Sequence, residues 1–327
     1  MRSARGRAGI ALLAAACVAA LISCTPLDLF MLAMQVPLIN GKTWTGYELV
    51  LDIGGTTYSK ALANPCAIKD GGTYKMWVGG SAVAPPSTTR IHYSESTDGR
   101  TWTAPVVVIA EGAEGTNDLS GVGRPSVLKL GGIYKMWYVG GTSGVNRILY
   151  AESSDGRTWS GHSLVLDIGA QGVYDTKNVW APAVIKDGSI YRMWYSGDND
   201  ASERRVLYAE SADGLSWSGH RLAVDIGSEG TYDVKSVDNP SVIKDNLLYK
   251  MWYNCQDTTS TGRIIYAESS DGITWGSFQL AVDAGNVPGN DDTGAIGPSV
   301  ISDDGVGRMW YTGWVGTTYR ILYAESR

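Results

Sequence analysis

An all-β fold, a five-bladed β-propeller of four-stranded antiparallel blades closed by its N-terminal strand, is predicted by three observations. The first is a repeat. A proline, a short apolar run, a Gly-rich turn, an aromatic triplet and an Arg-led strand recur, with prolines at Pro65, Pro125, Pro182, Pro240 and Pro298, spaced 60, 57, 58 and 58 residues apart. The second is the content of each copy: four strand-like segments joined by turn chemistry such as Lys-Asp-Gly and Ser-x-Asp-Gly, without helical periodicity. The third is the pair of ends. The last copy stops at Ser326-Arg327 without its Asp-Gly-x-Thr-Trp, and the missing piece stands at the start as Asn40-Gly41-Lys42-Thr43-Trp44. The N-terminal strand is therefore expected to complete the last blade and leave no open edge.

In the fourth copy the strands are expected near Ser241–Lys244, Tyr249–Asn254, Arg263–Ser269 and Trp275–Val282. Trp77, Trp137, Trp194, Trp252 and Trp310 fall in second strands, and Trp44, Trp102, Trp159, Trp217 and Trp275 open fourth strands. Aromatic side chains at equivalent sites of every copy read as packing between sheets. The Arg that leads each third strand (Arg90, Arg147, Arg205, Arg263, Arg320) and the Glu five residues later (Glu95 in the first copy) read as a structural ion-pair or backbone-bonding ladder. Asp118, Asp175, Asp233 and Asp291, each seven residues before a proline, are expected to bind loop N–H groups.

Ahead of the repeats, Arg2, Arg5 and Arg7 precede an apolar stretch ending in Leu21-Ile22-Ser23-Cys24. That layout is an export signal, and its end resembles the lipobox of bacterial lipoproteins, which implies a lipid on Cys24. The organisation expected is a signal peptide at 1–23, a tether at 24–38 and a propeller at 39–327, in a monomer held on the bacterial cell envelope through its lipid alone. A net charge of −6 without basic clusters argues against nucleic acid as a partner. His92, His162 and His220 are scattered, so neither a metal site nor a cofactor is expected, and Cys66 and Cys255 read as two free, packed thiols.

Five blades, a Pro at the head of the innermost strand, the Gly-x-Tyr-x-Met-Trp-Tyr second strand and the Ser-x-Asp-Gly-x-x-Trp turn together resemble the five-bladed propeller superfamily of glycoside hydrolases. Arabinanases, β-xylosidases, invertases and levansucrases belong to it, with glycoside hydrolase families 43, 32 and 130. The resemblance covers residues 40–327 and implies an active site at the axial mouth and an oligo- or polysaccharide partner. Family 43 enzymes place three carboxylates at the heads of innermost strands. Here the two residues before each Pro are Ala63-Asn64, Gly123-Arg124, Trp180-Ala181, Asp238-Asn239 and Ile296-Gly297, and Asp238 is the only carboxylate. The family's usual centre is not evident.

Subtracting the repeat leaves Asn64, Arg124, Trp180, Asn239 and Trp314 as candidate sugar-binding residues, the two Trp by stacking and the rest by hydrogen bonds. Asp238, paired with Asp198 or Asp200 (Glu203 lies in the same loop), is the candidate acid/base set. The reading is an exported propeller that binds carbohydrate at its mouth. One alternative is an active glycosidase using Asp238 and a carboxylate of the third-copy loop. The other is a non-enzymatic protein-interaction platform.

Overall fold

The computed structural model describes residues 39–83, 88–199 and 203–327. The signal, the tether, Cys24 and Asp200 lie outside them. The described residues are all β, with no helix. The strands are β1 (Thr45–Leu51); β2 (Ala61–Asp70), β3 (Thr73–Ser81), β4 (Arg90–Ser96) and β5 (Val106–Ile109); β6 (Gly121–Leu130), β7 (Ile133–Thr142), β8 (Val145–Ser153) and β9 (Ser160–Leu166); β10 (Asn178–Asp187), β11 (Ile190–Asp198), β12 (Arg204–Ser211) and β13 (Ser218–Val224); β14 (Ser236–Asp245), β15 (Leu248–Gln256), β16 (Gly262–Ser269) and β17 (Gly276–Val282); and β18 (Gly294–Asp303), β19 (Val306–Val315) and β20 (Thr318–Ser326). Consecutive strands of each run from β2 to β17 pair antiparallel in fours. The final run of three takes β1 as its fourth strand, with Leu49 opposite Leu322.

Tryptophan joins each group to the next. The indole N–H of Trp77 donates to the Gly156 carbonyl at 2.8 Å, and Trp137, Trp194, Trp252 and Trp310 donate in the same way to Gly214, Gly272, Gly41 and Gly99. The last of these bonds runs from the final group back to the first. Each acceptor glycine sits at positive φ (77° at Gly99, 82° at Gly214) beneath the indole, and a Cβ on Gly214 would lie 2.9 Å from the Trp137 ring. No other residue fits both demands. The fourth-strand tryptophans stand edge-on against the same rings, as Trp159 does on Trp77 at 6.2 Å. The packing role read from their recurrence is the observed one.

The expected Arg–Glu ladder has different partners. The leading arginines bond an acid at the far end of the fourth strand, as in Arg147–Asp167 and Arg263–Asp283, both at 2.7 Å. The glutamates instead accept from a tyrosine two residues earlier, as Glu268 does from Tyr266 at 2.7 Å. Spacing on one strand could not reveal the arginines' partners, since the Arg–acid pair joins neighbouring strands. Asp118, Asp175, Asp233 and Asp291 are fully buried and accept loop N–H groups, such as Gln171 N–H at 2.7 Å on Asp175.

A second seam ladder links neighbouring groups. Lys129 donates to Asp70 at 2.7 Å, Lys244 to Asp187 at 2.6 Å, and Lys69 to Asp303 at 2.5 Å. Tyr134, Tyr249 and Tyr74 also donate to these three carboxylates. Leu130 stands where the second group would carry the acid, and there Lys186 lies over the Tyr191 ring at 3.7 Å instead.

These carboxylate contacts, with those of the Ser-x-Asp-Gly turns, predict acid lability. The Lys129 ammonium and the Tyr134 hydroxyl pull the Asp70 carboxyl down to about 2, and backbone N–H groups of Thr274 and Ile273 do the same for Asp271. A carboxyl whose folded pKa is depressed stabilises the fold above its unfolded pKa. That contribution disappears as pH falls through the folded value. The midpoint of thermal unfolding is therefore expected to be level above about pH 5 and to drop steeply between about pH 4 and 2. Differential scanning fluorimetry across that range checks it; a level profile down to about pH 2 would remove these carboxylates from the account.

Candidate functional site

The innermost strands do not begin at their prolines. Each starts four residues earlier and crosses its Pro at a bulge, between Ala63 and Cys66 in β2 and between Asp238 and Ser241 in β14. The residue before each Pro is left-handed: φ is 53° at Asn64, 50° at Arg124, 44° at Ala181, 49° at Asn239 and 55° at Gly297. The bulge carries the donorless proline out of the ladder, so the strand continues past a residue that would otherwise end it. Trp180 and Trp314 lie in β10 and β19, and Asp198, expected in a loop, is the last residue of β11.

Side chains from neighbouring groups hold these bulges. Thr312 Oγ1 accepts the Asn64 N–H at 2.8 Å, Ser196 Oγ that of Asn239 at 3.0 Å, and Asn254 Oδ1 that of Gly297 at 3.2 Å. One residue beyond each Pro, Ser126, Ser241 and Ser299 accept an N–H from the next inner strand, and Cys66 Sγ takes that place for Val127 at 3.2 Å. Burial pushes the Cys66 thiol up to about 12, and both Cys66 and Cys255 are free. The five pre-proline residues and their prolines line a small cavity of about 30 Å³.

A larger cleft of about 560 Å³ shares Asn64, Arg124 and Asn239 with it, and Trp180, Asp238 and Trp314 line it too. Six candidates drawn from five sequence copies thus meet in one place. Asp238, 2% exposed, receives Arg204 Nη1 on Oδ2 at 2.9 Å and the Asn254 amide on Oδ1. Arg124 Nη1 donates to Asn239 Oδ1 at 2.8 Å. Burial, aided by the charge of Arg204 and opposed by Asp238, draws the Arg124 guanidinium down to about 10. The Asp238 carboxylate pushes Arg204 the other way, favouring its charged form.

Of the two proposed acid/base partners of Asp238, Asp200 lies outside the described residues and Asp198 is absent from the cleft lining. Asp198 is buried and accepts from Asn178 Nδ2 at 2.9 Å. Glu203 accepts from Arg205 Nη2 at 3.0 Å. Asp238 is the only carboxylate lining the cleft among the described residues. No cluster of metal-ligating side chains occurs among them.

The two tryptophans differ. The Trp180 ring already carries two guanidinium groups, Arg124 at 4.9 Å and Arg204 at 5.5 Å, within cation–π range. Trp314 stacks on Tyr319 at an interplanar angle of 11°, and its indole N–H donates to the Gly316 carbonyl at 2.6 Å. Trp314 and Tyr319 thus form a stacked aromatic pair in the cleft lining.

Sequence subtraction missed Arg204, Asn254, Asn146 and Tyr319, all of which line the cleft. Their signal was present. The residue before each recurring Arg varies (Thr89, Asn146, Arg204, Gly262, Tyr319), as does the residue two beyond each second-strand Trp. In an antiparallel hairpin those positions end beside the pre-proline residues.

No family model matches the sequence. It is 31% identical over 192 residues to two uncharacterized proteins of Mycobacterium tuberculosis, from strains CDC 1551 / Oshkosh and H37Rv, a match covering 54% of this protein and 61% of each relative. Among solved structures, it is similar to a BT0996 RGII complex (TM-score 0.70, 18% identity, 88% of this protein and 93% of that one). It is also similar to a glycoside hydrolase (TM-score 0.69, 17% identity, 93% and 96%). A third is a structure from work on the GH130 family of mannoside phosphorylases, which contains glycoside hydrolases targeting β-1,2 mannosidic linkages in Candida mannan (TM-score 0.67, 15% identity, 89% and 96%). The likeness is one of fold: the protein has the propeller-like architecture of glycoside hydrolases.

Proposed function

We propose that this protein is a five-bladed β-propeller, closed by its N-terminal strand, that binds carbohydrate in its axial cleft. Export to the bacterial cell envelope, with a lipid on Cys24, is part of the proposal and is supported by the sequence of residues 1–24. The closed five-blade reading is supported by the β1–β20 pairing and by the Trp310–Gly99 bond from the last group to the first.

The observation that carries the function is the meeting of the non-repeating residues Asn64, Arg124, Trp180, Asp238, Asn239 and Trp314 in one cleft of about 560 Å³. A volume of roughly 300–1,000 Å³ suits a small organic ligand. Amides, guanidinium groups and an aromatic wall are the means by which sugar hydroxyls and the apolar face of a sugar ring are held. Two-carboxylate hydrolysis needs carboxyl groups about 5–10 Å apart. The described lining offers Asp238 alone, already engaged by Arg204 and Asn254. Binding without turnover is therefore favoured over the glycosidase reading.

Trp314→Ala is expected to weaken binding of the retained glycan about tenfold, the scale of one lost aromatic contact. Its thermal midpoint should stay close to that of the parent. Calorimetric titration of parent and variant measures this. Equal affinities would take the aromatic wall out of the site.

A further inference from the structure

The cleft is cationic in a protein that is not. Against a net charge of −6, its lining sets Arg124, Arg204 and Lys60 beside one carboxylate, Asp238, among the described residues. The three cations are not equivalent. Arg204 is paired with Asp238 at 2.9 Å, and Lys60 is exposed to solvent. Arg124 forms no ion pair among the described residues. Its hydrogen bond goes to a neutral acceptor, Asn239 Oδ1, and its plane lies over Trp180.

A guanidinium has five N–H donors in a fixed fork that matches a carboxylate. Burial draws Arg124 down to about 10, so it stays charged at neutral pH in surroundings that disfavour the charge. An anion placed against it would relieve that cost. Two further groups await partners: Asn64 Oδ1, an acceptor, and Trp180 Nε1, a donor, are buried without one, and both residues line the cleft. Gly297 leaves Asn64 its room, since a Cβ there would lie 2.7 Å from Asn64 Oδ1. A cleft of about 560 Å³ is far larger than an inorganic anion fills. One guanidinium without an ion-pair partner among the described residues matches a single carboxylate charge better than a phosphate monoester carrying about −1.5 to −2.

We propose that the cleft takes an acidic glycan, a hexuronate unit whose carboxylate pairs with Arg124 while its hydroxyls reach Asn64 and Asn239. The inference rests on the carbohydrate-binding reading above and adds the charge of the ligand.

The test titrates the full-length protein with trigalacturonate and a glucuronate-containing oligosaccharide, each beside its methyl ester, which keeps the shape and loses the charge. Neutral arabino-, xylo- and manno-oligosaccharides and inorganic phosphate complete the set. Expected is at least one acid form binding about tenfold or more tighter than its ester, a gap that narrows as salt rises. Arg124→Gln should abolish the gap. Where the glutamine variant fails to fold by circular dichroism, Arg124→Lys keeps the charge without the fork and should retain a reduced gap. Esters or neutral oligosaccharides binding as well as or better than the acids would overturn this inference and leave the carbohydrate reading standing. So would inorganic phosphate competing at the concentration of the uronate. Retention of no glycan would remove both.

Discussion

Trp194→Ala is expected to lower the unfolding free energy by about 3–5 kcal/mol, a large share of the roughly 5–15 kcal/mol that a folded domain has. The Trp194 side chain is fully buried, with Tyr208, Tyr249 and Trp275 around its ring at 5.5, 6.1 and 6.0 Å. Its indole N–H donates to the Gly272 carbonyl of the next four-stranded group at 2.8 Å. Alanine would open a cavity among three aromatic rings and leave that carbonyl without its donor. The thermal midpoint should fall by roughly 10 °C. Trp194→Phe keeps most of the volume, loses the N–H and should cost about 1–3 kcal/mol. Trp314, outside the recurring set, is the control. Urea unfolding of the three variants measures the ordering, and a Trp314→Ala loss as large as that of Trp194→Ala would contradict the division between scaffold and site.

Removing the sequence up to Leu51 is expected to do more: loss of cooperative unfolding, with aggregation visible by size-exclusion chromatography. β1 covers the edge of β20, which carries the apolar run Ile321-Leu322-Tyr323-Ala324, and an uncovered edge of that kind pairs with other molecules. The segment before β1 is fitted as closely. The Gly41 carbonyl accepts Trp252 Nε1 at 2.8 Å and Trp44 Nε1 at 3.0 Å. Lys250 Nζ donates to the Ile39 carbonyl at 2.5 Å, and the Ile39 N–H donates to Asp245 at 3.2 Å. Tyr74, Tyr134, Tyr191 and Tyr249 occupy one repeated position, whose counterpart in the last copy is Gly307. A Cβ on Gly307 would sit 3.3 Å from Ile39 Cδ1, so the glycine makes room for the N-terminal segment. A shortened protein that unfolds like the parent would rule out closure by β1.

The scaffold was legible because its parts are local or periodic. Ser-x-Asp-Gly turns, second-strand tryptophans and the Asn40–Trp44 fragment can be read within one copy and checked against the others. The pre-proline residues were legible as a varying position, though not as strand residues. That requires the left-handed bulge, a backbone geometry that Asn64, Asn239 and Gly297 suit and that Arg124 gives no hint of. Arg204 was hidden by its neighbour, since Arg204-Arg205 reads as one recurring Arg until the registers of β11 and β12 are known. The partners of Asp238 differ in this: Asn254 faces it across the β14–β15 hairpin, whereas Arg204 comes from the preceding group and only the packing of the two groups brings it to the carboxylate.

The most direct measurement is a glycan panel applied to the full-length protein with retention and product release read together. The account predicts that at least one glycan is retained, that no shorter saccharide appears on prolonged incubation, and that Trp314→Ala weakens retention. Release of sugar that stops in Asp238→Asn would contradict binding without turnover and establish a glycosidase. Retention of no glycan at all would contradict the carbohydrate site itself.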